Sequence, residues 1–211
     1  VNFAQLVNTT PAFRDLLEAN PFLRQSFEEQ FTLGGNYAFT YNTLIHTNRR
    51  HQYYFNGMVD VSGNLISLAN RVVTGHRPSS EEPYTIFGAK YSQFSKFSAD
   101  GRYYLNINKN SRLVTRLFAG IGIPYGNSTT LPYVKQFFSG GSNSIRAFLP
   151  RTVGPGSYQM PDSLLNRGFL DKAGDIKLEG NIEYRFTIID LLKGALFVDA
   201  GNVWLLRDNV Q

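Results

Sequence analysis

Phe31-Thr32-Leu33-Gly34-Gly35-Asn36-Tyr37-Ala38-Phe39-Thr40-Tyr41-Asn42-Thr43 separates into two interleaved sets. The odd positions are Phe31, Leu33, Gly35, Tyr37, Phe39, Tyr41 and Thr43; the even ones are Thr32, Gly34, Asn36, Ala38, Thr40 and Asn42. Successive side chains of a strand point to opposite faces, so one face is aromatic and aliphatic and the other small and polar. No Asp, Glu, Lys or Arg occurs from Phe31 to Asn48. A soluble surface would carry charge there, and a membrane helix would not carry Asn36, Asn42 and Asn48. A strand with one face against oil and one against water satisfies both observations.

The same rhythm recurs. After a turn at His46-Thr47-Asn48-Arg49-Arg50, the residues Tyr53, Phe55, Gly57, Val59, Val61 and Leu65 share a face opposite Tyr54, Asn56, Met58, Asp60, Ser62 and Asn64. From Gln93 to Ile107, Phe97, Ala99, Tyr103, Leu105 and Ile107 oppose Lys96, Ser98, Asp100, Arg102, Tyr104 and Asn106. Asp100-Gly101 is a hairpin signal, but the alternation passes through it in phase, which favours one long strand. Beyond a turn at Lys109-Asn110-Ser111, Leu113, Thr115, Leu117, Ala119, Ile121 and Ile123 face out, with Val114, Arg116, Phe118, Gly120 and Gly122 facing in, and Pro124 ends the run. The last two strands are Lys177 to Phe186, which alternates strictly, and Gly194 to Trp204, apolar on both faces around Asp199.

The expected division is therefore a surface loop with short helices over 1–30, strands at about 31–45, 51–66, 93–108 and 113–123, a long loop over 125–176, and strands at about 177–187 and 193–204. Thr10-Pro11 and Asn20-Pro21 are helix-start signals within the first segment. The strands exceed the usual length of about 5–6 residues in soluble sheets and match the roughly 9–11 needed to cross a membrane. A β-sandwich would show charge on its outer faces and turns every 8–12 residues or so. Hydrocarbon satisfies no backbone group, so lipid-exposed strands must pair on both edges and close into a barrel. The expected fold class is all-β: an antiparallel transmembrane β-barrel, present as about six strands plus a long loop. Val1-Asn2 carries no initiator Met or signal peptide, and the chain stops just after a strand-like run, so it reads as an internal piece of a longer protein.

Composition removes several classes. Of 211 residues, 42% are apolar and 14% aromatic, which is unlike a disordered chain. There is no Cys, so neither a disulfide scaffold nor a thiolate metal site exists. The net charge of +5 is spread as single basic residues, with Arg49-Arg50 the only adjacent pair, which argues against a nucleic-acid partner. Ser139-Gly140-Gly141-Ser142-Asn143-Ser144 lacks the Gly-Lys-Ser/Thr of a phosphate loop. No Gly-x-Ser-x-Gly occurs, and His46, His51 and His76 lie in or beside turns. Glu179 and Glu183 share a face at roughly 13 Å, beyond the glycosidase range of about 5–9.5 Å, so they read as polar lumen residues rather than an acid and base. No catalytic residue, metal or cofactor is expected.

The long loop is the informative segment. Phe137-Phe138-Ser139-Gly140-Gly141-Ser142-Asn143-Ser144-Ile145-Arg146-Ala147-Phe148, followed by Arg151-Thr152-Val153-Gly154-Pro155-Gly156, resembles the sixth extracellular loop of the BamA/TamA superfamily of outer-membrane β-barrel assembly factors. Asn181-Ile182-Glu183-Tyr184-Arg185-Phe186 and Phe197-Val198-Asp199-Ala200-Gly201-Asn202-Val203-Trp204 are similar to the family's next two strands. The loop motif comprises Gly140, Gly141, Ile145, Ala147, Phe148, Gly154 and Pro155. Ala147 stands where the family has Gly, and a positive φ there would strain an alanine. The resemblance implies that the loop folds back into the lumen and that Arg146 meets Glu183 and Asp199. The periodicity agrees: Glu183 lies on a polar face, and an unpaired Asp199 facing lipid would be destabilising.

The resemblance also implies the later part of a larger barrel in the outer membrane of a Gram-negative bacterium. Its expected function is assembly or insertion of other outer-membrane proteins. The implied partners are membrane lipid, unfolded outer-membrane protein substrates, and accessory lipoproteins or periplasmic factors. The alternative within the superfamily is secretion of a partner polypeptide. A barrel enzyme lacks a placed Ser–His or Asp–His set, and a passive porin does not account for the loop motif.

Overall fold

The computed structural model describes residues 10–11, 30–46, 49–75, 83–86, 88–157, 172–189 and 191–206. The helices expected in 1–30 lie almost entirely outside the described residues. Six long strands form one antiparallel sheet: β2 (Gly34–Asn42), β3 (His51–Ser62), β6 (Phe94–Asn108), β7 (Ser111–Pro124), β8 (Ile176–Ile189) and β9 (Leu192–Trp204), paired in that order. Two-residue β1 (Gln30–Phe31), two-residue β4 (Thr85–Ile86) and β5 (Ala89–Tyr91) make a small second sheet. The 15-residue β6 runs through Asp100-Gly101 without a turn; its pairing with β7 shifts only at Asn106–Asn108.

Because every neighbour is antiparallel and in register, each face is continuous across the sheet. One ladder runs Tyr41, Phe55, Gly101, Leu117, Gly180, Ala200 and the next runs Tyr53, Tyr103, Thr115, Ile182, Val198. The large apolar residues of this face are exposed, Leu117 by 61%. The opposite face holds Asp60, Lys96, Asp100, Arg102, Arg116, Lys177, Glu179, Glu183 and Arg185. A wall that exposes its aromatic and aliphatic residues and gathers its charges on the other side is a barrel wall, with lipid outside and a polar lumen inside. The β2–β3, β6–β7 and β8–β9 connections are short, whereas those between β3 and β6 and between β7 and β8 are long. Barrels of this type put short turns on the periplasmic side and long loops outside, which orients the sheet.

The strand expected over 51–66 ends at Ser62, and helix α1 (Asn64–Thr74) follows. Leu65, assigned by period to the strand face, lies on that helix. The period could not reveal the change, because Gly63 makes it in one step with a left-handed φ of 77°. A Cβ on Gly63 would sit 2.5 Å from the Ser92 carbonyl oxygen, so Gly meets both a conformational and a spatial demand. With β3 gone, the strands on either side of it close over its end. They run parallel to each other, and β1 pairs with β5 in that sense. Ser62 Oγ seals the join by donating to the carbonyls of Leu33 (3.0 Å) and Ser92 (3.2 Å).

The face assignment predicts opposite tolerances. Leu117→Arg should destabilise the folded barrel by about 2–4 kcal/mol if the residue lies near mid-membrane. Asn56→Arg, on the lumen face of β3, should change stability by about 1 kcal/mol or less, the worth of the hydrogen bond it gives up. Urea unfolding of the two variants in lipid vesicles checks this; equal losses would contradict the assignment.

Candidate functional site

The described part of the long loop, residues 125–157 and 172–175, lies against the lumen face. Small residues on the wall make room for it. A Cβ on Gly120 would sit 2.5 Å from the Phe137 ring, and one on Gly122 would sit 2.4 Å from Leu131 Cδ1. Leu131 is fully buried there, and Phe137 packs edge-on to Phe118 with ring centroids 6.0 Å apart. Lys96 Nζ stands 4.0 Å above the other part of that contact, the Phe137 ring centroid. Two backbone bridges, Phe137 with Gly174 and Ser139 with Val153, draw the outgoing and returning limbs together.

Between the limbs the tip turns twice. Ser144 N donates to the Gly141 carbonyl, Phe148 N to the Ile145 carbonyl, and Gly141 N closes the tip onto the Phe148 carbonyl at 2.8 Å. Gly140 and Gly141 have φ of 99° and 95°. A Cβ on Gly140 would lie 2.1 Å from the Leu149 carbonyl oxygen, so that glycine is required by space as well. Ala147 is not among the positive-φ residues; Arg151 is the one described non-glycine with φ above zero. The strain expected at Ala147 is therefore absent. Ile145 is buried, while Ala147 and Phe148 are exposed. Gly154 has φ 86°, with space for no side chain beside Asn202 and Val203. After the buried Pro155, Gly156 N donates to the Val203 carbonyl at 2.7 Å.

The structure brings Arg146, Glu183 and Asp199 together. Arg146 Nε donates to Asp199 Oδ2 at 2.8 Å and Nη2 to Asp199 Oδ1 at 2.9 Å, a two-pronged contact. The backbone N of Arg146 adds a third bond to Oδ2 at 3.1 Å. Nη1 donates to Glu183 Oε2 at 2.6 Å. The guanidinium lies 3.6 Å from the centroid of the Phe197 ring, two residues along β9 from Asp199. These bonds use the planar fork of arginine, which one ammonium cannot reproduce. Hydrogen bonding to Asp199 first, and then to Glu183, holds the Arg146 guanidinium above its ordinary pKa, against the opposing effect of burial.

A second centre was not singled out from the sequence. Glu179 is fully buried. Its Oε1 accepts from Arg116 Nη1 at 2.6 Å, and Lys177 Nζ lies 2.9 Å from Oε2. The Ser144 hydroxyl of the loop tip donates to Oε2 as well. Arg116 continues the network to Asp100, with Nη2 at 3.0 Å from Oδ2, and also donates to the loop carbonyl of Asn143 at 3.2 Å. Asn181 Nδ2 links the two centres, donating to the Ser144 carbonyl at 3.1 Å and to Asp199 Oδ1 at 2.9 Å. A third contact holds the outgoing limb: Lys135 Nζ to Asp60 Oδ2 at 2.5 Å, with Lys96 Nζ donating to the Lys135 carbonyl at 2.6 Å. The available signal was alternation alone, which placed Glu179, Arg116 and Lys177 on the polar face. Nothing in their spacing says that they meet.

Among the described residues no group of His, Asp and Glu is arranged to hold a metal ion. The site is a set of charge-assisted hydrogen bonds between a loop and a wall. Its arrangement predicts a large effect at Glu179. Glu179→Ala leaves Arg116 and Lys177 without their shared counter-charge, and removing one partner of a buried pair costs about 3–5 kcal/mol. Thermal unfolding of the intact barrel in detergent measures it, with Arg185→Ala, an exposed member of the same face, as the comparison expected to lose about 1 kcal/mol or less.

The Omp85 superfamily domain matches residues 28–210. The chain is also similar, at 23% identity over 157 residues, to the outer membrane protein assembly factor BamA of Neisseria meningitidis serogroup B; the alignment covers 72% of this chain and 19% of that protein. The chain thus spans about a fifth of the length of the curated relative it matches. The match takes in the six-stranded sheet together with the loop that it holds, and it assigns the wall to an outer membrane. The chain belongs to the Omp85 superfamily of outer-membrane β-barrel proteins.

Proposed function

We propose that this chain is wall and loop of a barrel that assembles or inserts other proteins into the outer membrane. The carrying observation is the Arg146 contact, in which one loop residue spends its backbone N–H and three guanidinium nitrogens on Asp199 and Glu183. A loop fastened across the lumen narrows an open pore, and in an assembly barrel it keeps one part of the wall rigid while another part engages a substrate strand. Unfolded outer-membrane proteins are the substrates on this reading, and accessory lipoproteins or periplasmic factors deliver or steady them. The work is strand pairing and lipid displacement, and no covalent bond changes. Similarity to an assembly factor supports this reading over secretion of a partner polypeptide.

Two measurements on the intact protein test it. In the first, the protein is placed in lipid vesicles and given an unfolded outer-membrane barrel. Protease-resistant insertion should exceed that in empty vesicles, and Arg146→Ala should reduce the gain. Transfer of a soluble polypeptide into the vesicle interior, with no gain in insertion, would instead support secretion. In the second, a double-mutant cycle between Arg146→Ala and Asp199→Ala should give a coupling of about 0.5–3 kcal/mol, as for groups in direct contact. Asp199→Ala should cost more than Glu183→Ala, because Asp199 is more buried and accepts more of the Arg146 bonds. Arg146→Lys should restore only part of the loss. Additive effects would remove the pin from the argument.

A further inference from the structure

Helix α1 presents the wrong face to water. Its Ile66, Ser67 and Asn70 are half-buried, turned toward the wall. Leu65, Leu68, Ala69, Val72 and Val73 are exposed, Leu65 by 79% and Val73 by 83%. These positions recur at the three- and four-residue spacing of one helical stripe. A soluble helix would turn that stripe inward. No acidic residue occurs from Asn64 to Thr74, and Arg71 flanks the stripe in the last turn.

The hydrogen bonds at the helix start say which side of the wall it occupies. Ser95 pairs across the sheet with Val61 and Ile123, on the lipid-facing ladder. Ser95 Oγ lies 2.9 Å from the Tyr125 hydroxyl, which donates to Asn64 Oδ1 at 3.0 Å. Gln93 Nε2 reaches the same oxygen at 3.2 Å. The first residue of α1 is therefore tied to the outer side of the barrel at its extracellular rim. Eleven residues of helix span about 16 Å, too short to cross a bilayer.

We propose that α1 is an interfacial helix that lies in the outer leaflet, with Leu65, Leu68, Ala69, Val72 and Val73 in the acyl chains and Arg71 at the headgroup phosphates. The stripe continues the lipid-facing ladder of β3 sideways, past the point where that strand ends. Helices of this kind bury their apolar face roughly 5–10 Å into the headgroup and acyl boundary. Lipid is the occupant because the helix stands on the face already in contact with lipid, and because a cationic flank without acids suits an anionic surface. The inference rests on the membrane location and holds whether the barrel assembles or secretes proteins.

The test uses the intact protein in a cysteine-free background, reconstituted in phosphatidylcholine–phosphatidylglycerol vesicles. Val72→Cys and, separately, Val73→Cys carry an environment-sensitive fluorophore; Val134→Cys, on the lumen loop, is the water reference. Lipids brominated near the headgroup end of the acyl chain should quench the α1 probes by about twofold or more, with little quenching by aqueous iodide. The Val134 probe should show the reverse. Iodide quenching of both α1 probes without quenching by brominated lipid would put the stripe in water and overturn the proposal. Shielding from both quenchers would mean that a protein surface, such as a second copy, covers the helix, and would overturn it as well.

Discussion

A barrel wall is one residue thick, so each strand must be apolar on one face and must hold its charges on the other. Everything distinctive in this chain follows from that constraint. In β7 the residues Arg116 and Leu117 are adjacent, yet one belongs to a buried ion network and the other is 61% exposed on the lipid side. Hydrocarbon cannot satisfy an unpaired backbone group, so the strands must pair continuously, and continuous antiparallel pairing puts like faces side by side. Charges separated in the sequence are thereby collected on one surface. The loop then finds a lumen wall already lined with carboxylates and cations.

That lining explains why the loop lies where it does. A loop packed on an apolar lumen would leave its own polar groups without partners. Here Arg146 meets Asp199 and Glu183, Ser144 meets Glu179, and Lys135 meets Asp60. Three strands and both ends of the outgoing limb take part. Shape matters as much as charge. Gly120 and Gly122 leave the hollows that Phe137 and Leu131 fill, so the limb approaches closely enough for Lys96 and Lys135 to reach their acceptors. Asn181 ties the Glu179 and Asp199 centres into one network, so they are not expected to behave independently.

The extracellular rim shows the same constraint relaxed. At the membrane edge, water can satisfy backbone groups, and the sheet no longer has to continue. β3 stops at Ser62, its two neighbours pair with each other as β1 and β5, and the chain is free to form α1 on the outer side. The helix keeps the lipid-side logic of the strand it follows, with apolar residues outward and polar residues toward the wall.

By itself the sequence determined the two-faced strands, the membrane, and the side on which charges such as Asp60, Asp100, Arg116 and Glu183 lie. Those properties depend on neighbours one and two residues away, and a period of two reports them directly. It also marked Arg146, Glu183 and Asp199, through the resemblance of the loop motif and its two following strands, with the polar face of Glu183 and the apolar neighbours of Asp199 in agreement. It placed Glu179 on the lumen face but not its partners Arg116 and Ser144, which are distant in the chain and meet it only through the β7–β8 register and the fold of the loop. It misread the end of β3, because Gly63 changes strand to helix without disturbing the alternation of Val61 and Leu65. Nor could it settle Ala147, whose backbone conformation is set by the two turns of the loop tip. Local pattern decides which way a side chain points; only tertiary structure decides what it meets there.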